Sequence, residues 1–297
     1  MIDKIRSKAL ELGFKGVGFS RAVKPLYFEE YKKWVSSGKN AGMSWMERSM
    51  DIREDPSRLL PQCKTVISLA YPYPEEKPST KDGYTLARYS QPLETDYHQK
   101  LKSICRELCE VIDENYKENK SRICVDSAPI LERSFGYMSG IGFIGKNNML
   151  IIPEYGSFFY LAEILTTAEI EIPVAEPQKS LCGSCNLCIK ACPTGALNGP
   201  NDFDSSKCLS YLTIEYRGEI DKSLKSKMGK CFFGCDVCQE VCPFNKGVKD
   251  VNYCISAIDE FIEMDDFTFE KRYGKTALSR AGIKKIQENI RIITDRF

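Results

Sequence analysis

The chain has 297 residues, 42% of them hydrophobic, enough for one large domain and a small one. Its 42 Lys and Arg against 41 Asp and Glu leave a net charge of +1, so any contact with nucleic acid needs a local basic patch. The opening MIDKIRSKALELGF scatters charges where a secretory or twin-arginine leader needs an apolar core, and no apolar run nears the roughly 18 residues that span a bilayer; a cytoplasmic chain with no membrane partner is expected.

Residues 1–12 predict a helix. Gly13 and Gly16 break it, VGFSRA (17–22) predicts a strand, and 25–36 a second helix. TVISLAY (65–71) predicts a buried strand, ended by a turn at Pro72 and Pro74. Between Glu94 and Asn119, Tyr97, Leu101, Ile104, Leu108 and Val111 recur at the spacing of one helical face. RICVDS (122–127) predicts a strand, 130–139 a helix, and NMLIIPEYGSFFYLAEILT (148–166) two strands around a Pro-Glu-Tyr-Gly turn. This alternation predicts an α/β sandwich, in the wider sense α+β, over residues 1–172. After the linker PVAEPQKS (173–180), a cysteine-rich domain fills 173–248 and a helical segment, including ALSRAGIKKIQENIRII (277–293), fills 249–297. The paired cysteine motifs are the one internal repeat.

Fourteen cysteines, clustered, in a reducing compartment predict metal ligands rather than disulfides. Cys182-x2-Cys185-x2-Cys188-x3-Cys192-Pro193 is the spacing of two-cluster ferredoxins: three thiolates close on one cube while the fourth reaches its neighbour. Cys235-x2-Cys238-x3-Cys242-Pro243 is the reciprocal run. Interlocking them assigns Cys182, Cys185, Cys188 and Cys242 to one [4Fe-4S] cluster, and Cys192, Cys235 and Cys238 to a second that lacks a ligand. Spacing leaves both Cys208 and Cys231 as candidates. Zinc is the competing occupant, but its sites usually present two CxxC pairs. Cys105 and Cys109, one helical turn apart, and Cys63, Cys124 and Cys254 read as buried thiols.

No GxGxxG follows a strand and no phosphate-binding GxxxxGK[ST] occurs; the glycines between Gly136 and Lys146 match neither. The stretch from Ile123 to Thr166, with VDSAP-ILER, GIGFIGKNNMLI and PEYGSFFYLAEILT, resembles epoxyqueuosine reductase, a family of cobalamin-dependent iron–sulfur enzymes of tRNA modification. IREDPSRLLPQCKTVISLAYPY (52–73), ARYS…DYH (87–98), CLSYLTIE (208–215) and GCDVCQEVCPFN (234–245) carry the resemblance across roughly residues 1–290.

The resemblance implies a nitroreductase-like cobalamin-binding sandwich, then a ferredoxin-like two-cluster domain. It also implies a HEAT-like helical C-terminus that helps hold tRNA. RAGIKKIQENI resembles the first such repeat, so the chain reads as a short form lacking most of that domain. The fourth ligand of the second cluster is implied to be Cys208, leaving Cys231 spare. Asp126 is implied as proton donor to the departing epoxide oxygen; the plainer reading has Asp126 or Ser127 capping the next helix, with Pro129 in its first turn. Cobalamin-binding positions are implied at Asp126, Arg53, Arg88, Leu150, Ile152, Leu161, Ser210, Asp236 and Val237. Their plainer readings are surface ion pairs for the arginines and strand core for the aliphatic residues. His98, the one histidine, is expected to be structural or substrate-facing, and the cobalamin base-off.

Lys222, Lys225, Lys227 and Lys230, with Arg280, Lys284, Lys285 and Arg291, are candidate tRNA contacts, or else a solvated face. The expected activity is reduction of epoxyqueuosine in tRNA to queuosine by a monomer fed by an external low-potential, flavodoxin- or ferredoxin-like donor. A reductive dehalogenase and a non-catalytic electron carrier or cobalamin-reducing protein are the alternatives.

Overall fold

The computed structural model describes residues 1–92, 96–172, 177–245 and 251–294. Residue 94, part of the linker (173–176) and the expected boundary at 248–249 lie outside the described residues. The chain packs into two compact units, each built from separated stretches. The first comprises Met1–Gly38, Ser44–Pro72 and His98–Cys185; the second Lys39–Met43, Tyr73–Tyr97 and Asn186–Phe297. The expected domains are consecutive stretches, whereas these units are discontinuous.

The first unit is centred on a four-stranded sheet in the order Gly16–Arg21, Thr65–Pro72, Phe159–Thr166, Ser121–Cys124, with every pair antiparallel. The two middle strands read as apolar runs because both their faces are covered, and Val66, Ile67, Leu69, Ile164 and Leu165 are fully buried. The helix Tyr97–Asn115 forms as its periodicity predicts, but its buried face is Leu101, Cys105, Leu108 and Ile112, with the expected Tyr97, Ile104 and Val111 half-buried at its edge. The helix Glu132–Met138 buries Phe135 completely, a side chain whose truncation to alanine costs about 3–5 kcal/mol.

The second unit holds a sheet that the sequence does not announce. Its strands run in the order Cys231–Phe233, Thr85–Leu86, Glu76–Thr80, Val251–Ile255. Both outer pairings are parallel, between residues 146 to 175 apart in the chain. The segment after Pro72 is therefore strand as well as turn; its polar EKPST, with Pro78 inside, lacks the alternation that marks a strand. Over this sheet Phe232, Phe233, Phe261, Ile286 and Ile290 form a fully buried cluster. Asn289 Nδ2 donates to the carbonyls of Thr213 (2.8 Å) and Phe232 (3.0 Å), tying the last helix to it. The helix expected over 277–293 is in two pieces, a turn at Ala277–Arg280 and a helix at Ile283–Thr294, separated by Gly282 at φ 77°.

Candidate active site

In the first unit the strand Ser121–Cys124 stops short of Asp126, and the next helix begins only at Glu132, with Leu131 in the N-cap position and no side-chain cap. Asp126 and Ser127 therefore do not cap it. Asp126 stands in the intervening loop at φ 54°, the left-handed region that costs a non-glycine residue of order 1 kcal/mol or more. Two contacts hold it there. Its N–H donates to Glu132 Oε1 at 2.6 Å, and its Oδ2 lies 3.4 Å from Nε2 of His98, at the start of the long helix. The Asp126 side chain is 66% exposed, so a solvent-reachable carboxyl is anchored from behind by its own amide and an imidazole.

Behind Asp126 lie two carboxyls that the sequence pattern does not single out. Glu132 is half-buried, its carboxyl the deeper part; burial first, then the charge of Asp126, push it up to about 8. Glu163 is fully buried on the central strand, opposite Ser68 on one neighbouring strand and Cys124 on the other. No N–H or hydroxyl group among the described residues donates to its carboxyl oxygens, and its hydrogen-bonding neighbour is the Glu132 carboxyl. Burial first, and then the adjacent Glu132 carboxyl, raise it well above the ordinary carboxylate range. An unpaired charge at such a site costs several kcal/mol, so Glu163 is held neutral. A glutamate inside the apolar run FFYLAEILT was the available signal.

Of the implied cofactor-binding residues in this unit, Leu150 and Ile152 are buried in one apolar cluster with Ala70, Ile141 and Phe159, and Leu161 packs against it half-buried. The wall is tight: a Cβ on Gly136 would stand 2.5 Å from Leu150 Cδ2. Arg53 is no surface ion pair. It is 9% exposed, lies 5.6 Å over the Tyr31 ring and donates from Nη2 to the Trp45 carbonyl at 3.4 Å. Its Nε meets no acceptor among the described residues.

In the second unit Arg88 and Asp236 are both buried and bonded to each other: the Arg88 N–H donates to Asp236 Oδ2 at 2.6 Å, while the guanidinium donates to the Glu75 carbonyl. Burial pushes Asp236 up to about 6, against the pull of that N–H and of Lys77. Val237 opens a short helix, Val237–Glu240, and Ser210 is half-buried in the helix Leu209–Ile214.

The thiols of Cys192, Cys208, Cys235 and Cys238 are electrostatic neighbours, with Cys208 acted on by Cys192 and acting on Cys235 and Cys238. Burial, then neighbouring thiols, raise Cys238; burial raises Cys208 and pushes Cys235 up to about 12. Cys192 departs from this: although burial opposes it, the N–H groups of Leu197, Thr194 and Ala196 and the Thr194 hydroxyl lower it. Cys231 also acts on Cys235, ahead of Cys208, while its Sγ donates to the carbonyls of Phe233 (3.5 Å) and Gly234 (3.4 Å). Among the described residues no three His, Cys, Asp or Glu side chains converge tightly enough to hold a single ion. One zinc needs that convergence, whereas a four-iron cube takes one thiolate at each corner and its ligands stand apart. Cys188 acts on Cys238; Cys242 precedes the turn Pro243–Asn245, and Cys182 and Cys185 close the first unit. Cys63, Cys105 and Cys124 are buried as expected and Cys109 partly so, but Cys254 is exposed.

Of the candidate tRNA contacts, Lys222, Lys227 and Lys230 are exposed, while Lys225 is half-buried and pairs with Glu219 at 3.3 Å. Arg280 pairs with Glu215 at 2.8 Å. Lys285 is buried and bound to Glu288 at 3.1 Å, so it cannot lie on a phosphate-binding face. Lys284 and Arg291 are exposed.

Two family models match the chain: the 4Fe-4S double cluster binding domain over residues 181–245, and Epoxyqueuosine reductase QueG, DUF1730, over 53–127. An epoxyqueuosine reductase from Cellulophaga algicola is 35% identical over 301 residues, covering 97% of this chain and 96% of the relative. A crystal structure of epoxyqueuosine reductase with a tRNA-Tyr epoxyqueuosine-modified stem loop matches with a TM-score of 0.87 and 28% identity, over 98% of this chain and 80% of that one. The catabolic reductive dehalogenase NpRdhA, at 14% identity and a TM-score of 0.51 over 98% of this chain and 35% of its own, shares the fold alone.

Proposed function

The chain belongs to the epoxyqueuosine reductase family, and on that premise we propose that it reduces epoxyqueuosine in tRNA to queuosine. Removing the epoxide oxygen breaks two C–O bonds, forms a C=C bond, and consumes two electrons and two protons as the oxygen leaves as water. An alkoxide leaves poorly until it is protonated. The observation that carries the reading is Asp126, an exposed carboxyl fixed in a left-handed turn against His98 and Glu132 and suited to give that proton.

Two [4Fe-4S] clusters carry the electrons. For one, the ligands are Cys192, Cys208, Cys235 and Cys238, supported by the nearness of Cys208 to the other three. Cys208, Cys235 and Cys238, each raised by burial and by a neighbouring thiol, ionise together only when a cationic centre compensates them, and soft thiolates suit iron–sulfur cubes. Cys182, Cys185, Cys188 and Cys242 are assigned to the other cluster by spacing.

When bound, cobalamin supplies a low-valent cobalt centre able to reduce the epoxide carbon. The residues fit it: Leu150, Ile152 and Leu161 offer an apolar wall, Arg53 a desolvated cation, and Asp126 the acid. His98, already engaged by Asp126, would not be needed to hold the cofactor, and cobalamin would be bound base-off. Arg88, Ser210, Asp236 and Val237 keep their cofactor assignment on the sequence resemblance. No helix among the described residues is long and apolar enough to cross a membrane. The working form is a cytoplasmic monomer that takes single electrons from a flavodoxin- or ferredoxin-like donor.

The test is turnover by anaerobically prepared holoprotein on a stem-loop RNA carrying epoxyqueuosine. Queuosine formation supports the reading. A protein that binds cobalamin and both clusters yet converts no RNA is an electron carrier instead.

A further inference from the structure

The reaction proposed above, on which this inference rests, consumes two protons, and Asp126 carries one. We propose that Glu132 and Glu163 form a buried carboxyl pair that stores the second proton behind Asp126 and releases it toward the site once Asp126 has been emptied.

The geometry is contiguous. Glu132 bridges the two ends, accepting the Asp126 N–H at 2.6 Å on one side and flanking Glu163 on the other. Around Glu132 stand Asp126 from the loop, His98 from the long helix, Arg133 from its own helix and Glu163 from the central strand. Around Glu163 stand Ser68 and Cys124 at facing register positions and Cys105 from the long helix. Those two thiols are themselves raised by burial and stay neutral. The cations that act on the pair, Arg133 and His98, act on Glu132, so Glu163 keeps its proton and Glu132 is the member that yields one.

Glu163 lies inside a fully covered strand, with no N–H or hydroxyl donor to its oxygens among the described residues and its carboxyl hydrogen-bonded to that of Glu132. That makes the pair a dead end, which suits a reserve rather than a conduit. The transfer is balanced without redox change: an O–H bond breaks on the pair and one forms on Asp126. Two electrons come from the external one-electron donor, the epoxide oxygen leaves as water, and solvent refills the reserve through the exposed Asp126. Since Glu132 holds its proton up to about pH 8, the reserve is full at neutral pH.

The pair is read directly by infrared spectroscopy of the full-length holoprotein labelled with 13C-glutamate, through the carbonyl stretch of protonated carboxyls. In the wild type a label-sensitive acid band should persist at pH 7 and lose intensity near pH 8. Glu163→Gln removes one of the two acids and sets an amide donor against Glu132, so the remaining acid band should be weaker and should lose intensity at lower pH than in the wild type. The single-turnover rate at pH 7 should fall roughly 10²-fold, the scale of one lost general acid, and the alkaline limb of the rate profile should move with the band. Absence of any glutamate acid band at pH 7 in the wild type overturns the proposal, and that measurement needs no variant. A limb unchanged in Glu163→Gln also overturns it. A band that titrates as stated in a protein without turnover supports the pair and removes the reaction.

Discussion

Replacing Asp126 by asparagine isolates proton donation from everything else the residue does. Asparagine tolerates the left-handed region, so the φ of 54° survives. The bond to Glu132 Oε1 uses the backbone N–H and is kept. With 66% of the side chain exposed, the change opens no cavity and buries no new polar group. The acidic proton disappears, and the 3.4 Å contact with His98 Nε2 loses its carboxylate charge. General acid catalysis is worth about 10² to 10⁴ in rate, or about 2.7–5.5 kcal/mol of barrier, so the chemical step should slow by that factor. Iron content, the cobalamin spectrum and RNA binding should be unchanged. The assay is a single turnover of pre-reduced holoprotein on epoxyqueuosine stem-loop RNA, which removes product release and electron delivery from the measurement. If the asparagine variant converts the nucleotide at the wild-type single-turnover rate, Asp126 is not the acid, and its strained turn needs another explanation.

Cys208→Ala should lower iron from about eight to about four atoms per chain, two cubanes to one, whereas Cys231→Ala should leave it unchanged; the reverse result would transfer the ligand role to Cys231. Electron paramagnetic resonance of the Co(II) holoprotein should show no axial nitrogen splitting, and His98→Ala should not alter the spectrum. Replacing Lys222, Lys227 and Lys230 with alanine should flatten the logarithmic salt slope of tRNA binding by about 0.7–0.9 for each phosphate that is no longer neutralised, while Lys225→Ala, already paired to Glu219, should change it less. Stability should fall as pH rises, measured by denaturant unfolding at fixed pH values: the folded-state pKa values of Glu132 and Glu163 lie above the ordinary glutamate range, so their contribution is whole below about pH 4.5 and drains as pH climbs, that of Glu132 through about 8. Glu163→Gln should flatten that slope, and an unchanged slope would mean that the carboxyl is hydrated.

Local features were legible in the sequence. The cysteine spacing announces cubane clusters because a few residues of chain limit which thiolates reach one metal centre, and the apolar stripe from Tyr97 to Val111 announces a helix because its period is that of the backbone. The family resemblance pointed to Asp126, but the loop that exposes it was hidden. Asp-Ser-Ala-Pro fits a helix cap equally well, whereas in the fold the helix that packs against the sheet starts only at Glu132. The second sheet was a matter of tertiary structure, since its parallel pairings join Glu76–Thr80 to Val251–Ile255 and Thr85–Leu86 to Cys231–Phe233, and pairing over such distances leaves no periodic trace in either partner. Folding likewise took Lys285 out of the basic face by burying it, and turned Glu132 and Glu163 into a neutral pair. The charge state of a carboxyl depends on the atoms that replace its water, and those come from strands and helices far away in the chain.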